Sequence, residues 1–185
     1  MWDWLSSKFA VILAVVIILG VVVVFFFTQQ RAISNVELKN QGDKIAEEVN
    51  AMNTLNAQTS KLITFDTSKG DVHLKLTILN APYNLRLGKD AVIVTQERRA
   101  TFGTETVSSL SRFNADVHLW NPRNLLSDYI TQKDVDNQDA LNPSKCFTSS
   151  IDIEITLERK ELHFLDQSQS LYLTFLYPNG DYPCK

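Results

Sequence analysis

Glycine, proline, cysteine and histidine are all scarce in this chain, at six, five, two and three among 185 residues. So few glycines leave little room for a backbone-cradled phosphate site, and no Gly-rich loop with its Lys occurs. The histidines, His73, His118 and His163, lie in strand-like stretches, none near another His or a Cys. Neither CxxC nor HExxH spacing exists, nor a GxSxG elbow. Asp134, Asp136, Asn137 and Asp139 sit together, but the Gly and final Glu of an EF-hand are missing. No N-x-S/T sequon offers a glycosylation acceptor. Charge of one sign is missing as well: 18 basic and 21 acidic residues are mixed along the chain, for a net charge of -3. That balance disfavours nucleic acid as a partner. The expectation is therefore no cofactor, no metal, no evident small-molecule substrate and no enzymatic activity.

What the chain does have is one long apolar run. Residues 9–27, FAVILAVVIILGVVVVFFF, contain no charged or polar side chain. As a helix they span roughly 28 Å, close to the ~30 Å hydrocarbon core of a bilayer. Lys8 and Arg31 flank the run as snorkelling anchors, and Trp2 and Trp4 are placed as interfacial aromatics. The mean hydropathy of -0.10 includes this run, so the remainder is polar enough for water. The run exceeds the roughly 7–15 residues of a cleaved signal. The one small-x-small candidate, Ala32-Ile33-Ser34, lies behind Phe25-Phe26-Phe27 and Arg31. The reading is an uncleaved single-pass anchor over 9–27, preceded by a tail over 1–8.

Basic residues lean weakly against an outside domain, with Lys8 before the span and Arg31, Lys39 and Lys44 after it. The cysteines lean the other way. Cys146 and Cys184 can form only one intramolecular bridge, which would clamp the C-terminal end at about 3–4 kcal/mol on the entropic model. A penultimate residue normally frays, so a tether explains Cys184 better than a buried thiol. A bridge implies an oxidising, extracytoplasmic location.

Residues 28–60 read as a polar stem followed by an amphipathic helix. Gly42 is expected to mark a kink or a loosened turn, and the membrane helix to continue, straight or kinked, into the amphipathic one. Beyond it Ile45, Val49, Met52 and Leu55 recur at helical spacing as one apolar stripe, facing either the chain's own domain or neighbouring copies. From residue 61 to 185 the period becomes two. Val72, Leu74, Leu76 and Ile78 alternate with polar residues, as do Ile151, Ile153, Ile155 and Leu157, and then Leu171, Leu173 and Phe175. Shorter strands are expected at Leu62–Asp66, Asn84–Leu87, Ala91–Gln96, Ala100–Thr106 and Asp116–Trp120. Residues 121–145, with Pro122 and Pro143, read as a loop with one helical turn at Leu125–Ile130. The expected fold is α+β: a long N-terminal membrane and amphipathic helix, then an antiparallel β-sandwich.

This order of parts resembles archaeal type IV pilin-like proteins. The resemblance rests on the apolar helix, its continuation Lys44-Ile45-Ala46-Glu47-Glu48-Val49-Asn50, and Ala81-Pro82-Tyr83-Asn84-Leu85-Arg86-Leu87 followed by Ala91-Val92-Ile93-Val94. It covers roughly residues 9–95, and His118-Leu119-Trp120-Asn121-Pro122 looks like a segment of uncharacterised archaeal members. It implies a helix that anchors in the membrane and then packs with other pilin-like subunits, with Val11, Val15, Ile18 and Val22 on the contacting face. Met1 to Lys8 offers no clear basic leader ending in a small residue before the run. That points to an accessory protein or a relative of the archaellum's β-sandwich anchor proteins that stays in the membrane, or to a filament of uncleaved chains. The competing reading is a signal-anchored extracytoplasmic module that binds a cell-surface protein or a glycan.

Overall fold

The computed structural model describes residues 2–100, 103–125, 129–167 and 169–180. The chain divides into two units, Met1–Val36 and Glu37–Lys185. Helix α1 runs Trp2–Asn53 and contributes to both. Its first part, in the N-terminal unit, is apolar and exposed on every side from Phe9 to Phe27. The boundary therefore falls inside the region expected as a polar stem, and the helix from Glu37 onward belongs to the β-rich unit.

That second helical segment has a clear inward face. Leu38, Gln41, Ile45, Val49 and Met52 recur at three- and four-residue steps and are all buried. Helix α1 passes through Gly42 without interruption, as the continuation into an amphipathic helix requires. A Cβ there would meet Ser111 Oγ at 2.7 Å and Val94 Cγ2 at 3.3 Å, so glycine serves close approach to a strand. Leu55, expected on the stripe, lies past the helix end and is 43% exposed. The helix stops because Thr54 and Leu55 donate to Ala51 and Met52 carbonyls, tightening the last turn.

Two sheets follow. The first holds β1 (Thr59–Thr64), β2 (Val72–His73), β6 (Tyr129–Ile130), β8 (Glu154–Phe164) and β9 (Gln169–Pro178), with β8 at its centre. β1 and β9 flank β8 antiparallel, while β2 and β6 add short parallel pairings. The second runs β5–β4–β3–β7, from β3 (Asn84–Leu87), β4 (Ala91–Ala100), β5 (Gly103–Arg112) and β7 (Lys145–Thr148), all antiparallel. One core joins both sheets to the helix: Ile45, Val49 and Met52 meet Ile63, Leu85, Val94, Phe147, Ile155 and Leu157. Each such side chain, fully buried, contributes about 1.5–3 kcal/mol.

A second core lies on the other face of the first sheet. Ile155 and Leu157 of β8 enter the first core, whereas Leu162 and Phe164 enter the second. Leu176 of β9 likewise faces the first, and its neighbours Phe175 and Tyr177 the second. A strand buried on both faces need not alternate, which is why β9 departs from period two. What covers the second face is the segment expected to be a loop. The described residues of 121–145 form a 3-10 turn at Pro122–Asn124, strand β6, and helix α2 over Gln132–Leu141. The helical turn expected at Leu125–Ile130 falls on 126–128, outside the described residues. α2 starts at a reciprocal cap: Thr131 accepts from Asp134 N, and the Asp134 carboxylate accepts from Thr131 N.

Other expected strands are shorter than their alternation suggests. Of 72–78, Ile78 makes an isolated bridge to Ala81 and only Val72–His73 forms a strand. Beyond it the backbone finds side-chain partners: Lys75 N donates to Gln41 Oε1, and the Lys75 and Leu76 carbonyls accept from Tyr83 OH and Ser149 Oγ. Leu74 and Ile78 are still buried, while Leu76 is exposed. β8 begins only at Glu154, leaving Ile151 exposed. Expected strand 116–120 reduces to one bridge, His118 beside Phe175. The stretch expected as strand 100–106 contains the end of β4 and the start of β5.

Candidate functional site

The first candidate is the apolar helix surface. Val11, Val15, Ile18 and Val22 share one helical face and are 59, 50, 62 and 43% exposed. The other large apolar side chains between Phe9 and Phe27 are exposed to a similar degree. Leaving them in water forgoes on the order of tens of kcal/mol of apolar transfer. This is one N-terminal helix long and apolar enough to span a membrane. Lys8 and Arg31 bracket it on exposed positions; the side chains of Trp2 and Trp4 lie outside the described residues.

The second candidate is a polar cluster that the sequence did not announce. Asp139 of α2 is 8% exposed and accepts three hydrogen bonds. Trp120 Nε1 donates at 2.8 Å and Lys89 Nζ at 2.9 Å, and His118 Nδ1 lies at 3.0 Å. Burial works to raise the Asp139 pKa, but the hydrogen bonds from His118 and Lys89, with the charge on His118 and the Trp120 bond, outweigh it and bring the carboxyl down to about 2. The indole of Trp120 packs edge-on to Phe175 at 4.9 Å, and His118 lies 5.4 Å from the same ring. Asp139 thus joins α2, the 117–120 segment and the turn between β3 and β4. With three donors from separate segments on its two oxygens, it works as a clip.

Beside this clip lies a cleft of about 310 Å³, lined by Trp120, Asn121, Asn142, Lys145, Tyr177 and Asn179 among others. The acidic group singled out above is helical and dispersed. Asp134 caps α2, its pKa lowered by hydrogen bonds from the Thr131 hydroxyl and backbone N–H; Asp136 accepts from Gln132, and Asp139 is the clip. Among the described residues no group of three His, Cys, Asp or Glu could hold a metal ion.

The remaining residues disperse. His73 is exposed, and His163 lies on the first sheet with Ser170 and Tyr129. Cys146 stands on β7 opposite Arg86 and is not a free thiol. Cys184 lies outside the described residues. The stripe residues Ile45, Val49 and Met52 are in the core of their own unit. The signal for α2 was present as Thr131-x-x-Asp134, but the Asp139 cluster joins residues 50 apart in sequence, and no spacing announces it. No protein-family model matches the chain, and comparison with curated proteins finds no match.

Proposed function

We propose that the chain is a non-enzymatic, membrane-anchored structural protein, a pilin-like subunit or accessory protein of an archaeal type IV-type surface filament. The observation that carries this reading is α1 itself. One helix supplies both an apolar segment exposed on every side and, from Glu37 onward, the apolar stripe of a folded domain. A tether alone requires only the first property. In this reading Val11, Val15, Ile18 and Val22 contact neighbouring helices, Trp2, Trp4, Lys8 and Arg31 hold the ends at the interfaces, and the β domain is extracytoplasmic with Cys146 bridged to Cys184. The two sheets, sharing one core, are read as the halves of a β-sandwich. Electron microscopy of native membranes and medium tests the assembly: filaments labelled by an antibody to the β domain are expected. Purified chain that is only monomeric, with no labelled filaments on cells, overturns it.

A second reading, a signal-anchored binding module, is favoured by one observation: the residues from Glu37 onward enclose a complete core of their own. It predicts that labelled chains stay dispersed in the membrane fraction.

A further inference from the structure

At the end of α1 the chemistry of the helix-facing side of the β8–β9 ribbon changes. Farther back that side carries Ile155, Leu157 and Leu176 into the first core. Beyond Leu157 the same side of β8 presents Arg159, Glu161 and His163. The register sets Thr174, Tyr172 and Ser170 opposite them, and Tyr129 of β6 beside His163. The side chains meet rung by rung. The first rung lies under the helix end: Thr174 is buried and donates to Asn53 Oδ1, and Arg159 Nε donates to the Leu55 carbonyl at 3.2 Å. Arg159 Nη1 donates to Thr174 Oγ1 at 2.7 Å, and the guanidinium stands 6.0 Å from the Tyr172 ring. Tyr172 OH donates to Glu161 Oε2 at 3.2 Å. His163 Nδ1 and Ser170 Oγ are 2.5 Å apart, and the Tyr129 ring stacks on the imidazole at 5.1 Å and 28°.

The two outer rungs, Glu161–Tyr172 and His163–Ser170, extend about 7 Å along the strands. Leu162 and Phe164, on the opposite side of β8, sit in the second core, so the platform has a packed backing. Tyr129 is 61% exposed, and with His163, Gln169 and Ser170 it lines a shallow cleft of about 300 Å³.

We propose that this face is a binding platform for a neutral saccharide chain. A sugar ring offers an apolar C–H face and a rim of hydroxyls. Tyr129 and Tyr172 offer broad apolar ring surface, and the guanidinium, carboxylate, imidazole and hydroxyl groups between them match the rim. The side chains already hold one another by hydrogen bonds, so little rotamer freedom remains to be lost on binding. The charges point to a neutral ligand: one guanidinium stands against one carboxylate, and the chain carries a net charge of -3. A single-stranded nucleic acid would need a positive groove along its backbone. A protein partner would need an apolar patch centre, whereas polar groups interrupt this face at every rung. The platform lies wholly in the β-rich unit and does not depend on polymerisation.

The test uses the full chain in detergent micelles against immobilised neutral polysaccharides: a β-glucan, a mannan and a polymer of N-acetylglucosamine. Retention on at least one is expected, weakened at least tenfold by Tyr172→Ala and by Tyr129→Ala. Leu141→Ala, at an exposed position on α2, should leave it unchanged. Thermal melting identifies which variants are folded; if Tyr172→Ala melts early, Tyr129→Ala decides alone. No retention of the unaltered chain, or unchanged retention in folded tyrosine variants, overturns the proposal. Retention of a single-stranded oligonucleotide in place of the sugars overturns it too.

Discussion

Replacing Asp139 by asparagine probes the clip directly, because it removes the charge and keeps the shape. The carboxyl titrates at about 2 in the folded chain against an ordinary 3.8. A shift of that size corresponds to about 2 kcal/mol at 1.36 kcal/mol per pH unit. The folded pKa is the lower one, so this stability is fully present above pH 3.8 and is lost as pH falls toward 2. Asp139→Asn should therefore destabilise the β-rich unit by about 2 kcal/mol at pH 7, an estimate that agrees with the loss of a hydrogen bond to a charged group. For a unit of this size that is about 4–8 °C in Tm. The assay is thermal melting by far-ultraviolet circular dichroism from pH 7 to pH 2, with both chains in the same detergent. The gap between them should close as the pH is lowered through the 3.8–2 window. If the gap is constant across that range, the Asp139 carboxylate is not the linked group and the reasoning fails.

Gly42→Val should lower Tm, since overpacking against Ser111 and Val94 costs about 1–3 kcal/mol and exceeds any gain in helix propensity. Gly20→Val, where nothing lies within 4 Å, should leave the melting of the β-rich unit unchanged. Thr131→Ala removes the cap of α2 and should cost about 1 kcal/mol, read from urea midpoints at unchanged m-value. Ile18→Arg places a charge at the centre of the apolar run at a cost of about 2.5–3.5 kcal/mol, so more chain should leave the membrane pellet on alkaline carbonate extraction. A non-reducing proteolytic digest should yield one linked peptide pair carrying Cys146 and Cys184, and finding both as separate alkylated peptides would refute the bridge.

Much of the fold was legible because its signals are local. The run from Phe9 to Phe27 is set by composition alone, and the stripe Ile45, Val49 and Met52 by helical spacing. Asn84–Leu87 is a strand in both readings because its alternation, Leu85 and Leu87 in and Arg86 out, matches a sheet with one buried face. The failures share a cause. Residues 72–78 alternate as a strand would, yet Gln41, Tyr83 and Ser149, none of them on a strand that pairs with this stretch, take the backbone hydrogen bonds of Lys75 and Leu76. At Gly42 the sequence leaves a straight and a kinked helix open, because local propensity cannot register Ser111 pressed against it.

Local chemistry thus determined by itself an apolar helix long enough to span a membrane and a β-rich remainder, since both follow from the order of apolar and polar side chains over a few turns or strands. Tertiary structure decided the rest. It placed the helix from Glu37 onward in the core, and it buried the central sheet on both faces. It drew Lys89, His118, Trp120 and Asp139 into one clip. It also aligned Tyr129, His163 and Ser170 across three strands. Those arrangements depend on strand register and sheet order, which pair residues tens of positions apart and leave no mark on the spacing of either partner.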